Sequence, residues 1–332
     1  MANLKNTKIN DTGFLQIPTG SSAQRPSNPT NGEIRYNSEL KFVEQYDVEY
    51  DLWFPAGFVP PIATGGTVTD ITQDGVNYRV HTFTSVGTST FAVTRSGPVE
   101  YLIVAGGGSG GGNNRNGGGG GAGGLLTGIT TVTAQPYTIT VGDGGQALGV
   151  NQRSAPGISG DNSSAFGLTA IGGGHGGSWV SQLPASGGSG GGGGSHTGTT
   201  VVGGTGTPGQ GNSGGTNAVG SDGRSGGGGG GAGSPGPDAV FDQGANGGIG
   251  ISTSISGTAT FYAGGGAAGR RNGSGLSTFG GQGGGGNFVF GIQRFNGTPS
   301  TGGGGGATGL DNDDQLPGDG GSGIVIIRYR TS

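Results

Sequence analysis

Residues 225–232 read SGGGGGGA, and the fold turns on what six successive glycines do there. Related runs recur along the chain, among them GGGSGGG at 106–112, GGGGGAGG at 117–124 and GGGGG at 302–306, and glycine supplies 89 of the 332 residues. A collagen triple helix needs glycine at every third position, which uninterrupted runs exclude. Disorder ordinarily accompanies low hydrophobicity with high charge, yet only 10% of these residues are charged and the net charge is -4. Each glycine held in regular structure costs about 0.5–1 kcal/mol more than alanine, so ordered runs need a large compensating term. A side-chain core supplies only part of it, because hydrophobic residues make up 29% of the chain. The remaining source is the backbone. Glycine chains in an extended helix of three residues per turn can lie side by side and bond to one another through N–H and C=O groups, an approach that any inward Cβ would block.

Working outward from the runs, alternating or β-branched segments predict strands over about 76–105, 137–142, 165–171, 259–262 and 324–330. The last, IVIIRY, is continuous and β-branched, the pattern of a central strand that closes a sheet begun early in the chain. No window carries helical periodicity. The expected fold class is therefore all-β: an N-terminal β-hairpin attachment module over 1–60, then a glycine-rich domain over 61–332. The latter comprises a small β-strand base and a polyglycine-II-like helical lattice with surface loops. In the N-terminal module, Ile34 and Tyr36 alternate with Glu33 and Arg35, and Phe42, Glu44 and Tyr46 alternate with Val43 and Gln45, around a turn at 37–40. So small a segment cannot bury enough surface alone, which predicts packing on other copies or on another protein.

The segment from Gly13 to Trp53 resembles the repeated fibre module of tailed bacteriophages. The matching positions are Gly13, Pro18, Ala23 to Pro26, Gly32, Ile34 to Asn37, Glu44 and Trp53, while the module's usual glycine after the Asn is missing. Across residues 75–330 the order VEYLIVAGGG, GGGGGAGGLLTG, YTITVGDGG, SSAFGLTAIGGG, FYAGGGAAG, STGGGGGATG and GGSGIVIIRY is similar to a glycine-rich domain of phage virion proteins. It is more distantly similar to the polyglycine sandwich of T-even-like tail-tip adhesins and to the glycine-rich region of certain receptor tyrosine kinases. The resemblance implies a structural virion protein, a tail fibre or appendage on the virion surface. It would be assembled in the host cytoplasm and released by lysis. It also implies homotrimers, attachment to other virion proteins, and loops that bind host cell-surface polysaccharide or protein. The alternatives are a head fibre, capsid decoration or neck protein without a receptor, and, last, a polysaccharide depolymerase.

Residues assigned to attachment or oligomerisation are Arg25, Pro26, Ile34, Tyr36, Phe42, Tyr46 and Trp53. Residues assigned to host-binding loops, as aromatic or basic inserts bordered by glycine, are Trp179, Phe241, Arg270, Arg271, Phe288, Phe290, Arg294 and Phe295. The competing assignment for the loop set is capping of the lattice or contact with a neighbouring subunit. Asn-Gly pairs at 31–32, 116–117, 246–247, 272–273 and 296–297 are expected to reverse the chain.

No enzyme is expected. Gly106, Gly108 and Gly111 trace the outline of a dinucleotide fingerprint after a strand, but no apolar-periodic helix or acidic residue follows at the required place. His81, His175 and His196 are scattered and cysteine is absent, so no metal or other cofactor is expected. Asp311, Asp313, Asp314 and Asp319 do not fit an EF-hand and read as a solvated acidic turn. Two carboxylates facing each other across a sugar are not recognisable. A pI near 5.3 with no basic cluster argues against nucleic acid. No apolar stretch reaches membrane-spanning length and no signal sequence is apparent, so membrane insertion is not expected.

Overall fold

The computed structural model describes residues 16–48, 51–56, 60–112, 116–147, 157–178, 183–195, 198–219, 225–241, 243–270, 277–289, 295–309 and 316–331, the side chains of Leu52 and Pro55 excepted. It is all-β; among the described residues the one helical element is a three-residue 3-10 turn, Ser22–Gln24. The chain divides into two compact units, Met1–Val59 and Pro60–Ser332.

The first unit is a four-stranded sheet of β1 (Thr19–Gly20), β2 (Ile34–Asn37), β3 (Phe42–Asp47) and β4 (Leu52–Pro55) in that order. The β1–β2 pair is parallel and the other two are antiparallel. The hairpin expected from the alternation is β2–β3. Its turn works without glycine because Asn37 Oδ1 accepts the N–H groups of Glu39 and Leu40, both at 3.0 Å. Lys41 then takes the left-handed conformation, φ 63°, that a turn glycine would otherwise supply.

The second unit contains β5 (Ile62–Thr64), β6 (Thr67–Gln73), β7 (Val76–Phe83), β8 (Gly87–Arg95), β9 (Gly97–Val104), β10 (Leu125–Val132), β11 (Pro136–Val141), β12 (Ser163–Ala165), β13 (Leu168–Ala170), β14 (Ile251–Thr253), β15 (Thr260–Tyr262) and β16 (Ile324–Arg330). Two five-stranded sheets run β10-β9-β16-β7-β6 and β13-β12-β11-β8-β5, and β14–β15 is a separate hairpin. The C-terminal strand is central, with β9 and β7 antiparallel on its two sides. Its unbroken apolar run has a packing reason. Val325, Ile327 and Tyr329 join Phe83, Phe91 and Ile139 in one core, while Ile324 and Ile326 join Leu102, Val104 and Tyr262 in another. A strand buried on both faces has no polar face to alternate.

The reading of the strands needs correction at two places. The predicted strand over 165–171 is the end of β12, a tight turn and β13, because Phe166 and Gly167 both take positive φ, 55° and 78°. Strand β10 went unpredicted because Gly128 interrupts it; the gap is filled by the ring of Tyr101, which faces Gly128 across the β9 pairing.

The glycine runs are neither β-strand nor α-helix, and their hydrogen bonds reveal the order. From residue 117 onward, every third N–H goes to the same neighbouring run. Gly117, Gly120 and Gly123 donate to Thr308, Gly305 and Gly302; Gly118, Gly121 and Gly124 donate to Gly177, Gly174 and Ile171; Gly119 and Ala122 donate to Gly227 and Gly230. The carbonyls on this run repeat the pattern, accepting from runs around 105–111, 189–192 and 266–269. Six neighbours surround one run, with a period of three residues and no bond inside the run itself. This is polyglycine-II packing, and runs 105–111, 226–231 and 264–269 are surrounded in the same way. A Cβ added at Gly118, Gly119, Gly120 or Gly121 would overlap a neighbouring carbonyl, so the requirement for glycine is steric.

Asparagine plays a different part from the one expected. Gly32 of the pair at 31–32 has positive φ, 84°, but Gly247 and Gly297 lie inside runs without it. Asn246 and Asn296 instead lend their side-chain oxygens as carbonyl substitutes, to the N–H of Phe279 at 2.8 Å and of Asp319 at 2.9 Å. The pair at 272–273 lies outside the described residues.

Between the two large sheets, His81 is fully buried. Its Nδ1 bonds the Gly65 carbonyl at 2.8 Å, and its Nε2 lies 3.2 Å from the Tyr329 hydroxyl, which also accepts the Ala63 N–H. Burial, helped by the charge of Arg79, pushes the imidazole below its usual range against the opposing pull of the Gly65 carbonyl and Asp70. A depressed folded-state value means that the unfolded chain binds the proton first. The contribution is therefore complete above the ordinary histidine value of about 6.5 and is lost as pH falls below it. Urea unfolding at about pH 7.5 and about pH 5 is expected to show a lower midpoint in acid. His81→Gln should show a smaller drop, and an equal drop in both proteins would rule out this linkage.

Candidate functional site

In the first unit the side chains that carry the fibre-module pattern converge on one carboxylate. Cross-strand pairing sets Arg35 opposite Glu44, and Glu44 is 0% exposed. Arg25 donates to both its oxygens, at 3.3 and 2.7 Å, Asn37 Nδ2 donates at 3.0 Å, and Arg35 Nε lies 3.3 Å away. Arg35 also donates to the carbonyls of Gln24 and Ser21 at 2.7 and 3.0 Å, and its guanidinium lies over the Trp53 ring at 5.9 Å. Burial works to raise the Glu44 carboxyl, but the bonds from Arg25 and Asn37 and the two positive charges outweigh it, holding the group below the usual carboxylate range.

Of the residues assigned to attachment, Arg25, Pro26, Tyr46 and Trp53 line one shallow cleft of about 240 Å³. Pro26, Ile34 and Trp53 share a second of about 230 Å³. Tyr46 is buried, stacks at a tilt on Trp53 and bonds Asp51 at 2.6 Å. Tyr36 pairs with Val43 on the opposite face of the sheet, where Ile34 and Val43 are exposed. Phe42 pairs with Asn37 and is half-buried. Arg35, Asn37 and Glu44 thus point inward, while Ile34 and Val43 are left exposed.

In the second unit the runs have two ends. One joins the strands: residue 105 follows β9, 124 precedes β10, 142 follows β11, 171 follows β13 and 323 precedes β16. At the other end Ser195 donates to the Asn116 carbonyl, Gly117 to Thr308 and Gly269 to Gly117, and Ser225 bridges Ala218 and Arg270. Phe241 stands exposed, at 53%, and Phe295 is half-buried. Arg270 and Phe288, by contrast, are 5% and 2% exposed. Phe288 pairs with Thr278 and lies against Gly309, which makes it lattice packing at the end of a run. Trp179, Arg271, Phe290 and Arg294 lie outside the described residues.

The fingerprint-like glycines are fully used by the lattice. The N–H groups of residues 106–111 donate to the carbonyls of Asp161, Gly321, Gly121, Ile158, Gly318 and Gly118, which leaves none to cradle a phosphate. Asp319 accepts from Ala147 at 2.6 Å and from Asn296 at 3.1 Å, bracing two loops; Asp311, Asp313 and Asp314 lie outside the described residues. Among the described residues no three metal-ligating side chains gather, and no helix is long and apolar enough to cross a membrane.

A family model described as a glycine-rich domain matches residues 84–330. The chain belongs to the glycine-rich domain family. The match begins directly after β7, so the strands β5, β6 and β7, which complete the two sheets, lie before the glycine-rich domain as the family delimits it. No curated protein matches the chain.

Proposed function

We propose that the chain is a structural protein of a tailed-phage virion, a tail fibre or appendage and not an enzyme, whose first unit attaches to the particle and whose glycine-rich domain displays a host-binding surface. The observation that carries the reading is the pair of roles in the first unit. Arg35, Asn37 and Glu44, with Arg25 at their edge, form its interior, while the apolar Ile34 and Val43 stay exposed on the other face. A sheet this small with Ile34 and Val43 uncovered gains stability by assembling, as a homotrimer or on another virion protein. The lattice supplies what a display platform needs, a scaffold with backbone bonds in several directions from which reversals emerge at a common end.

Immunogold labelling of intact particles with antibodies to the glycine-rich domain tests the assignment. Label at the tail or its fibres is expected. Label on the capsid or neck favours a head fibre or decoration protein, and absence from purified particles overturns the virion reading. For display at the far end, Phe241→Ala is expected to weaken binding of the purified chain to host cells without altering its unfolding midpoint.

A further inference from the structure

The lattice has a broad lateral face whose chemistry differs from that of its end loops. Five runs lie side by side along it, and their order is set by hydrogen bonds. Gly214 and Asn217 donate to Gly204 and Val201; Gly236 and Ala239 donate to Ser213 and Thr216. Ser234 and Gln243 donate to Ile249 and Val240, and Gly247 and Gly250 donate to Phe279 and Gln282. The order is therefore 201–207, 211–217, 234–240, 243–250 and 279–282; because 211–217, 234–240 and 243–250 all bond to run 226–231, the face turns a corner at 234–240.

Inward positions of these runs meet the lattice and outward positions recur every third residue. On the first run Val202 and Thr205 are exposed, with exposed Pro208 just beyond it, and on the second Ser213 is exposed and Thr216 half-buried, with exposed Val219 just beyond. On the fourth, Gln243, Asn246 and Ile249 repeat the pattern, and Phe279 and Gln282 do so on the last. A rise of about 3.1 Å per residue spaces side chains about 9 Å apart along each run. Backbone hydrogen bonding holds neighbouring runs about 5 Å apart. The outcome is a grid in which aliphatic or aromatic groups, with Val202 69% and Phe279 58% exposed, are interspersed with hydroxyls and amides. In these rows Asp238, on the third run, is the one charged side chain, and it accepts the Thr216 N–H at 2.6 Å.

We infer that this face binds an uncharged polysaccharide, an inference that rests on the appendage reading and adds the side of the lattice to the surface displayed at its end loops. An anionic glycan or nucleic acid needs basic side chains, which these rows lack. A dry contact with a second copy would bury the hydroxyls and amides between apolar neighbours, at a cost wherever partners are missing. A neutral sugar polymer offers both C–H faces and hydroxyls, matching both kinds of position. Contacts to such exposed side chains are individually weak, so retention depends on many repeats engaging together.

The test is sedimentation of the purified full chain with insoluble neutral glucan and mannan particles and with cross-linked anionic alginate. The comparison variant is the triple substitution Thr205→Glu, Thr216→Glu and Gln243→Glu, with its unfolding midpoint checked against wild type. Retention on a neutral matrix that persists in about 1 M salt and falls about tenfold or more in the variant is expected. Retention on alginate alone, retention lost in high salt, or equal retention of both proteins overturns the inference. So does a lack of retention on every matrix. A wild-type self-association, seen by sedimentation velocity and lost in the variant, assigns the face to contact between copies and overturns it too. Each of these failures leaves the appendage reading to be decided by the labelling of particles.

Discussion

Gly229→Val is expected to abolish cooperative folding of the glycine-rich domain, seen as loss of its urea transition and passage of the protein into the insoluble fraction. Gly229 lies in a run with six neighbours, donates to Gly266 at 3.0 Å and accepts from Gly248 at 2.9 Å. A Cβ there would overlap the Gly120 carbonyl oxygen. Overpacking in an ordinary core costs about 1–3 kcal/mol because side chains shift aside. Here the obstacle is backbone that is itself bonded on several sides, so making room displaces a run and strands buried donors and acceptors at about 1–3 kcal/mol each. A few such losses bring the cost to about 5 kcal/mol or more, comparable with the whole stability of a typical domain. Gly209→Val is the control. Its glycine has φ 76° but nothing within 4 Å of an added Cβ, so it carries only the cost of a left-handed β-branched residue, about 1–2 kcal/mol. Equal unfolding midpoints for Gly229→Val and wild type would refute the lattice.

The lattice was legible because its demand is negative. A position whose Cβ would strike a carbonyl tolerates glycine alone, and runs such as 226–231 announce that demand directly. Strand β16 was legible for the complementary reason, since two buried faces leave no polar position to interrupt its apolar run. The features that escaped depend on partners distant in sequence. Strand β10 is broken at Gly128 and completed by Tyr101. Asn246 and Asn296 look like turn residues until the N–H that each receives is known. Arg270 and Phe288 look like loop-tip contacts because glycine borders them, but a run that ends against its neighbours buries the side chains just beyond its last glycine. The outward rows at 202, 205 and 208 and their counterparts require both the three-residue period and the lateral order of runs, and neither is visible along a single stretch of chain. In the first unit the pattern from Arg25 to Trp53 was visible as a resemblance, but its physical content, a shared carboxylate, was not.

That content makes the second large effect predictable. Glu44→Ala is expected to unfold the first unit at markedly lower denaturant while leaving the glycine-rich domain at its wild-type midpoint. Removing the carboxylate leaves Arg35 5% exposed, beside a partly buried Arg25, with no opposing charge at the place where both had one. Breaking a buried ion pair from one side typically costs about 3–5 kcal/mol, a large share for a sheet of four short strands. Glu44→Gln keeps an acceptor for one guanidinium or for Asn37 and should fall between the two. Trp53 reports the loss directly, since Arg35 and Tyr46 both contact its ring. A Trp179→Phe background leaves it the sole tryptophan of the two in the chain. Acid should act in the same direction. The Glu44 carboxyl is held below its ordinary value, so its contribution is complete above about pH 4.5 and is lost as pH falls further, through the depressed folded-state value. Glu44→Gln should lack that part of the pH dependence. A Trp53 transition unchanged in Glu44→Ala would show that Arg25 and Arg35 are held by the backbone alone. It would return Arg25 to the docking role assigned from the sequence, whereas the expected loss leaves docking to the exposed positions around Ile34 and Val43.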